Sequence, residues 1–119
     1  MENRTRTLPS SCREKKRYLI FRVISDRKIE FEELIKAIFS NTINLFGSLR
    51  FGQTNFRFLQ ELYDSKQQIF VLKCLPKDVE LVRLSLALIH EIYGKKVCIM
   101  SLGVTGTIKS ARNKYLDSI

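Results

Sequence analysis

Hydrophobic periodicity along this chain switches from two to 3.6 and back, twice, and that order of switches limits the available folds more than any other feature. Residues 18–25 (YLIFRVIS) are β-branched and aromatic and predict a strand, a central one. Over residues 30–46 the apolar side chains Phe31, Leu34, Ile35, Ile38, Phe39, Leu45 and Phe46 recur at helical spacing, and Gly47 stands where a C-terminal cap belongs. Residues 47–53 predict a loop. Residues 54–63 and 68–75 predict two strands of a hairpin joined by Asp64-Ser65-Lys66-Gln67. Pro76 suits the first turn of a second helix, in which Val79, Val82, Leu86, Ile89 and Tyr93 share one face and which closes at Gly94. The breadth of its apolar surface predicts deep burial. Residues 95–102 predict a fourth strand, and residues 107–116 a short basic helix.

This order, β-α-β-β-α-β plus a terminal helix, predicts an α+β fold: a ferredoxin-like split βαβ sandwich with both main helices on one face of an antiparallel sheet. The 119 residues suffice for one domain, and 45% apolar content suffices for its core. We divide the chain into a basic N-terminal segment, 1–17, and a folded domain, 18–119. No apolar run approaches the roughly 20 residues needed to span a bilayer, and the N-terminus is Arg-rich where a secretory signal is apolar. A soluble, cytoplasmic protein without membrane partners is expected. Cys12, Cys74 and Cys98 are far apart and, with the single His90, match no zinc spacing; reduced thiols are expected, Cys74 and Cys98 as small apolar residues in strands.

The net charge of +9 is concentrated at the ends. Residues 1–17 hold six basic and two acidic side chains, residues 103–119 three and one, and the longer middle twelve and nine. Basic ends favour a polyanion, because each neutralised phosphate releases counterions; solubility and basic tails are the plainer explanation of the same charges.

Side-chain catalysis finds little support. His90 falls inside the second predicted helix with no nucleophile or orienting acid evident near it. Glu30, Glu32 and Glu33 crowd the first turn of a helix, where favouring the macrodipole explains them better than metal binding. Period-two alternation puts Leu19, Phe21, Val23, Phe70, Leu72 and Cys74 on the helix-covered face of the sheet. Ile20, Arg22 and Ile24 then lie beside Ile69, Val71 and Lys73 on the opposite face. That face lacks the aromatics of a base-stacking platform, and it reads as a protein-docking surface or as an ordinary, partly exposed sheet face. Val71 on it, Phe56 and Phe58 in the second strand, and Phe51 in the preceding loop are the expected protein contacts.

The most informative segment is Leu102-Gly103-Val104-Thr105-Gly106-Thr107-Ile108-Lys109. Its two glycines permit positive φ and close backbone approach, and Thr107 sits where a helix begins. Two readings stay open: a phosphate cradle assisted by Lys109 and Arg112, or a capped turn that steadies a terminal helix.

With Arg13-Glu14-Lys15-Lys16-Arg17-Tyr18 before the first strand, Leu86-Ala87-Leu88-Ile89, Gly94-Lys95-Lys96, and Lys114-Tyr115-Leu116 near the end, this segment resembles the archaeal-type ribonuclease P protein component 2 family over nearly the whole chain. The resemblance implies a ferredoxin-like subunit of the ribonucleoprotein endonuclease that removes the 5′ leader of precursor tRNA. It implies chemistry by the RNA and its magnesium ions, with no cofactor, metal or catalytic residue in this chain. The implied partners are ribonuclease P RNA, precursor tRNA through the holoenzyme, and the TIM-barrel-like component 3, in a heterotetramer built around two copies of the small subunit. Carried over by position, Arg13, Lys15, Lys16, Arg17, Lys95, Lys96, Gly103, Thr105, Gly106, Thr107, Lys109, Arg112 and Lys114 are the expected RNA contacts. Thr105 stands where many members carry serine, and the loop with Leu49, Arg50 and Phe51 departs from the family pattern. The alternative function is a ferredoxin-like regulatory domain that binds a small anionic ligand at the 103–107 turn.

Overall fold

A computed structural model of the chain describes residues 16–47 and 57–116. The elements run β1 (Arg17–Ser25), α1 (Phe31–Phe46), β2 (Arg57–Phe58), β3 (Ile69–Cys74), α2 (Val79–Ala87), β4 (Glu91–Ile92), β5 (Lys95–Thr105) and α3 (Ile108–Ala111), which widens into a π-type turn, Arg112–Leu116. The sheet order is β2-β3-β1-β5-β4 with antiparallel neighbours throughout, the ferredoxin-like arrangement with one short strand added at the β5 edge.

The alternation of β1 and β3 sends Leu19, Phe21, Val23, Phe70, Leu72 and Cys74 under the two helices, where all are buried, as expected. Phe70 anchors this layer, stacked on Phe21 and on Phe58 with ring centroids 5.4 Å apart in each pair. Phe31, the first residue of α1, meets Phe58 edge-on at 5.3 Å, which ties the helix start to the sheet edge. Leu34 and Ile38 follow at helical spacing with no exposure. Gly47, at φ 85°, ends the helix and donates its N–H to the Ile43 carbonyl at 2.7 Å. The helices meet through a small polar knot: Thr42 Oγ1 donates to the Ile38 carbonyl at 2.7 Å and lies 3.1 Å from Ser85 Oγ. Both residues are fully buried, so these partners offset the cost of their desolvation.

Two expected elements are shorter than their patterns. Of the second strand, Arg57–Phe58 pairs with β3, and the chain then makes a 3₁₀ turn, Gln60–Leu62. The second helix stops at Ala87, and a hairpin occupies the rest of the span assigned to it. The cause lies at Tyr93 and Gly94, which take φ 47° and 80°. Two successive positive φ values make the tight turn whose twist matches a hairpin, and no α-helix accommodates them. Tyr93 consequently leaves the predicted buried face and is 63% exposed. His90 lies in the exposed link before β4, with Nδ1 3.3 Å from the Leu88 carbonyl. Leu84 and Leu88 are about half exposed, so α2 is buried along Val82, Ser85 and Leu86 and not all round. Cys74 is buried in β3, and desolvation, reinforced by the nearby Asp78 charge, pushes its thiol up to about 11; Cys98 in β5 is exposed.

The opposite face of the sheet is only partly open. β1 meets β5 in register from Ser25↔Val97 to Phe21↔Ser101, after which Ile20 pairs with Gly103, leaving Leu102 as an extra residue. This bulge turns Gly103 and Thr105 outward, because one inserted residue reverses the alternation beyond it. There the end of the chain folds back, and Ile20, Ile69, Val71, Leu59, Leu62 and Ala111 form a second buried cluster flanked by Tyr18, Leu102 and Tyr115. Val71 has no exposure, so the expectation that it belongs to an open docking face does not hold: its own chain covers it. Ile24 and Met100, nearer β4, are 48% and 40% exposed.

Candidate nucleic-acid interface

The terminal turn is built from the bulge outward. Thr105, buried in the last pair of β5 opposite Tyr18, donates its hydroxyl to the Thr107 carbonyl at 2.9 Å and so fixes the bend at Gly106. Thr107 Oγ1 accepts the Ser110 N–H at 3.1 Å, which caps α3 and takes one of its free amide groups. Ala111, without exposure, seats the helix on the outer cluster. Lys109, Arg112 and Lys114 are thereby held on the solvent side.

The glycines act differently from expectation. Neither Gly103 nor Gly106 has a positive φ; that conformation belongs to Gly47 and Gly94. Gly103 is required by close approach, since a Cβ there would collide with the Tyr115 ring and hydroxyl. Around Gly106 a Cβ meets nothing within 4 Å, so its backbone is open to an outside molecule. Tyr115 falls with Ile108 and Ala111 on the apolar stripe by which the sequence alone seats the terminal helix on the domain, and the structure packs Ala111 and Tyr115 there. The close approach of Tyr115 to Gly103 is the part that stripe did not show; its signal was a glycine inside a strand pattern, which marks a bulge or a close approach.

The expected RNA contacts divide into groups. Lys16 and Arg17, half-buried before and at the start of β1, share an end of the sheet with Thr105, because Tyr18 and Thr105 are paired. Arg17 spends one guanidinium hydrogen on the Lys16 carbonyl at 3.0 Å. Lys95 and Lys96 open β5 at its other end, about 30 Å away along the strand. Lys95 is also engaged by Glu33 at 2.9 Å, and that hydrogen bond holds the Glu33 carboxyl below its ordinary range. Lys96 is exposed. Arg13, Lys15, Phe51 and Phe56 lie outside the described residues. Phe58 is half-buried in the helix-side aromatic layer, against Phe31 and Phe70, and is thus core packing in this chain.

Among the described residues no group of three or more His, Cys, Asp or Glu side chains is placed to hold a metal ion. No helix among them is long and apolar enough to cross a membrane.

The architecture and this end of the sheet define a ferredoxin-like domain that displays cations on a turn and helix held by its own core. The chain belongs to the Rpp14/Pop5 family, which matches residues 17–116. It is 34% identical over 116 residues to ribonuclease P protein component 2 of Thermococcus kodakarensis, covering 98% of this chain and 95% of that one. The protein of the same name from Methanocaldococcus jannaschii is 36% identical over 111 residues, covering 93% and 80%. That from Archaeoglobus fulgidus is 34% identical over 110 residues, covering 92% and 96%. A chain in the cryo-EM structure of yeast ribonuclease MRP superposes with a TM-score of 0.62 over 80% of this chain and 76% of that one; at 12% identity this likeness concerns the fold.

Proposed function

We propose that this chain is a protein subunit of ribonuclease P that binds and supports the catalytic RNA in removing the 5′ leader of precursor tRNA, and that it performs no chemistry itself. The observation that carries the reading is the Thr105–Thr107 turn, anchored by buried Thr105 and presenting an unobstructed Gly106 beside Lys109. Backbone open to approach and a cation held on a rigid support suit the sugar-phosphate of a folded RNA. Lys16, Arg17, Arg112 and Lys114 add positive charge around it. Magnesium is assigned to the RNA, component 3 and a second copy of this chain to the protein partners, and the cytoplasm to the location.

Reconstitution of precursor-tRNA cleavage by the cognate RNA and component 3, with and without this chain, tests the reading. Omission should lower the cleavage rate at low magnesium, and Lys109→Ala with Arg112→Ala should reproduce part of that loss. Higher magnesium should partly rescue the double variant, since it replaces charge that only holds the RNA in shape. Equal rates with and without the chain at every magnesium concentration would refute a supporting role. His90, exposed and with its ring Nδ1 beside the Leu88 carbonyl, should be dispensable. His90→Ala is expected to leave the rate within a few-fold of wild type, whereas loss of a general base costs about 10²- to 10⁴-fold.

A further inference from the structure

Three surface grooves meet at the turn between β2 and β3, and Lys66 borders all of them. One leads to Arg112 at the end of α3. The second reaches Arg27 and Lys28 in the link after β1, and the third reaches Arg22 and Ile24 on the outer sheet face. Five cations therefore follow one another over the surface, from the terminal helix to the far end of β1. Tyr18, which pairs beside the terminal turn, and Ser25, beside Arg27, are about 23 Å apart at strand rise.

Among the described residues none of these five side chains makes an ion pair, whereas Lys95 and Arg83 elsewhere on the domain each meet a glutamate. Three acidic residues border the same grooves, Asp26, Glu61 and Asp64. The Asp64 carboxylate is already occupied by the backbone N–H groups of Lys66 and Gln67 at 3.0 and 3.2 Å and by the Gln67 amide at 3.1 Å.

The supporting backbone is held firmly. Gln68, at φ 58°, uses its side chain as a strand would use its backbone: Oε1 accepts the Ile29 N–H at 2.9 Å and Nε2 donates to the Ile29 carbonyl at 3.1 Å. Its Nε2 also donates to Tyr63 Oη at 2.9 Å, and its own carbonyl accepts the Val23 N–H at 2.9 Å. The link carrying Arg27 and Lys28 is thus clamped to the turn carrying Lys66. Like charges gathered on an ordered frame repel one another at a cost to the folded state, and a polyanion laid across them relieves it.

We propose that the RNA-binding surface does not end at the terminal helix but continues from Arg112 through Lys66 to Arg22, Arg27 and Lys28, as a track for one continuous stretch of RNA backbone. This rests on the RNA-binding reading above. Phosphate is the matching chemistry because the track offers spaced cations, and Tyr63, the aromatic that borders it, is already bonded to Gln68 and packed against Phe31.

The test uses the full chain and the cognate ribonuclease P RNA, with backbone footprinting and the salt dependence of binding. Arg27→Ala/Lys28→Ala/Lys66→Ala should flatten the log–log salt slope by roughly 2 to 3, at about 0.7 to 0.9 per lost contact. It should also remove protections adjoining those lost in Lys109→Ala/Arg112→Ala, which themselves persist in the triple variant. Lys36→Ala/Lys77→Ala, elsewhere on the surface, serves as control and should change the slope by less than one. An unchanged footprint in the triple variant, or a control that matches its loss of slope, overturns the track while leaving the terminal site intact. Footprints unaffected by every variant overturn both readings together. Normal RNA binding with weakened association to component 3 would assign these cations to a protein partner and also overturns the proposal.

Discussion

Val71→Glu is expected to abolish the cooperative thermal unfolding transition of the isolated chain, leaving no near-ultraviolet dichroism at 25 °C. Val71 has no exposure and lies in the cluster that joins β1 and β3 to Leu59, Leu62 and Ala111. A carboxylate there has no described cation among the side chains of that cluster, so it must either be buried charged, be buried protonated, or drive the terminal helix away. Each route costs about 4 kcal/mol or more, a large part of the 5 to 15 kcal/mol that holds an ordinary domain together. Val71→Ala is the graded companion and should cost roughly 1 to 3 kcal/mol through lost burial and a small cavity. A Val71→Glu variant that melts within a few degrees of wild type would show that the outer cluster does not form.

Gly103→Ala is expected to lower stability by about 1 to 3 kcal/mol, the usual range for an atom forced into packed space. At roughly 4 °C per kcal/mol for a domain of this size, that is a clear shift in melting temperature. The added methyl meets the Tyr115 ring, and because Gly103 has no positive φ the effect is steric and not conformational. Tyr115 must then swing away, and α3 loses the contact that steadies it on the sheet. The double-mutant cycle with Tyr115→Ala isolates this cause: in that background Gly103→Ala should cost less than half as much. RNA affinity should follow the same pattern, since Lys109 and Arg112 are positioned by that helix. Additive costs would place the strain of the substituted glycine elsewhere.

The element order, the helix-side core and the ends of α1 were legible because each depends on side-chain period and on residues next to each other in sequence. Leu19, Phe21 and Val23 alternate, Leu34 and Ile38 fall one turn apart, and Gly47 follows the last apolar position, so local pattern and final burial agree. The terminal segment was legible as a special turn because of its glycines and threonines. Of what its residues permit, the structure uses the Thr107 cap and the close approach at Gly103, and it does not use positive φ at either glycine; the bulge and the hydroxyl tie from Thr105 to Thr107 shape the turn instead.

The helical pattern across residues 88–93 shows the limit from another side. Ile89 and Tyr93 lie four apart, as on a helix face, yet Ile92 is buried where β4 pairs with β5 and Tyr93 is left in the turn. A short apolar run satisfies either period, and the Tyr93-Gly94 turn selects the hairpin.

By itself, then, the sequence determined the order of the main strands and helices, which face of the sheet the two main helices cover, and where the charge excess lies along the chain. Only the tertiary structure decided that a single extra residue at Leu102 turns Gly103 and Thr105 outward and that the terminal helix closes over Val71. It also decided that Lys66, Arg112 and the cations after β1 share one surface while Lys95 pairs with Glu33. Period and propensity act between neighbours in the chain, whereas register, burial and the meeting of distant charges follow from free-energy gains that exist only once remote segments are packed together.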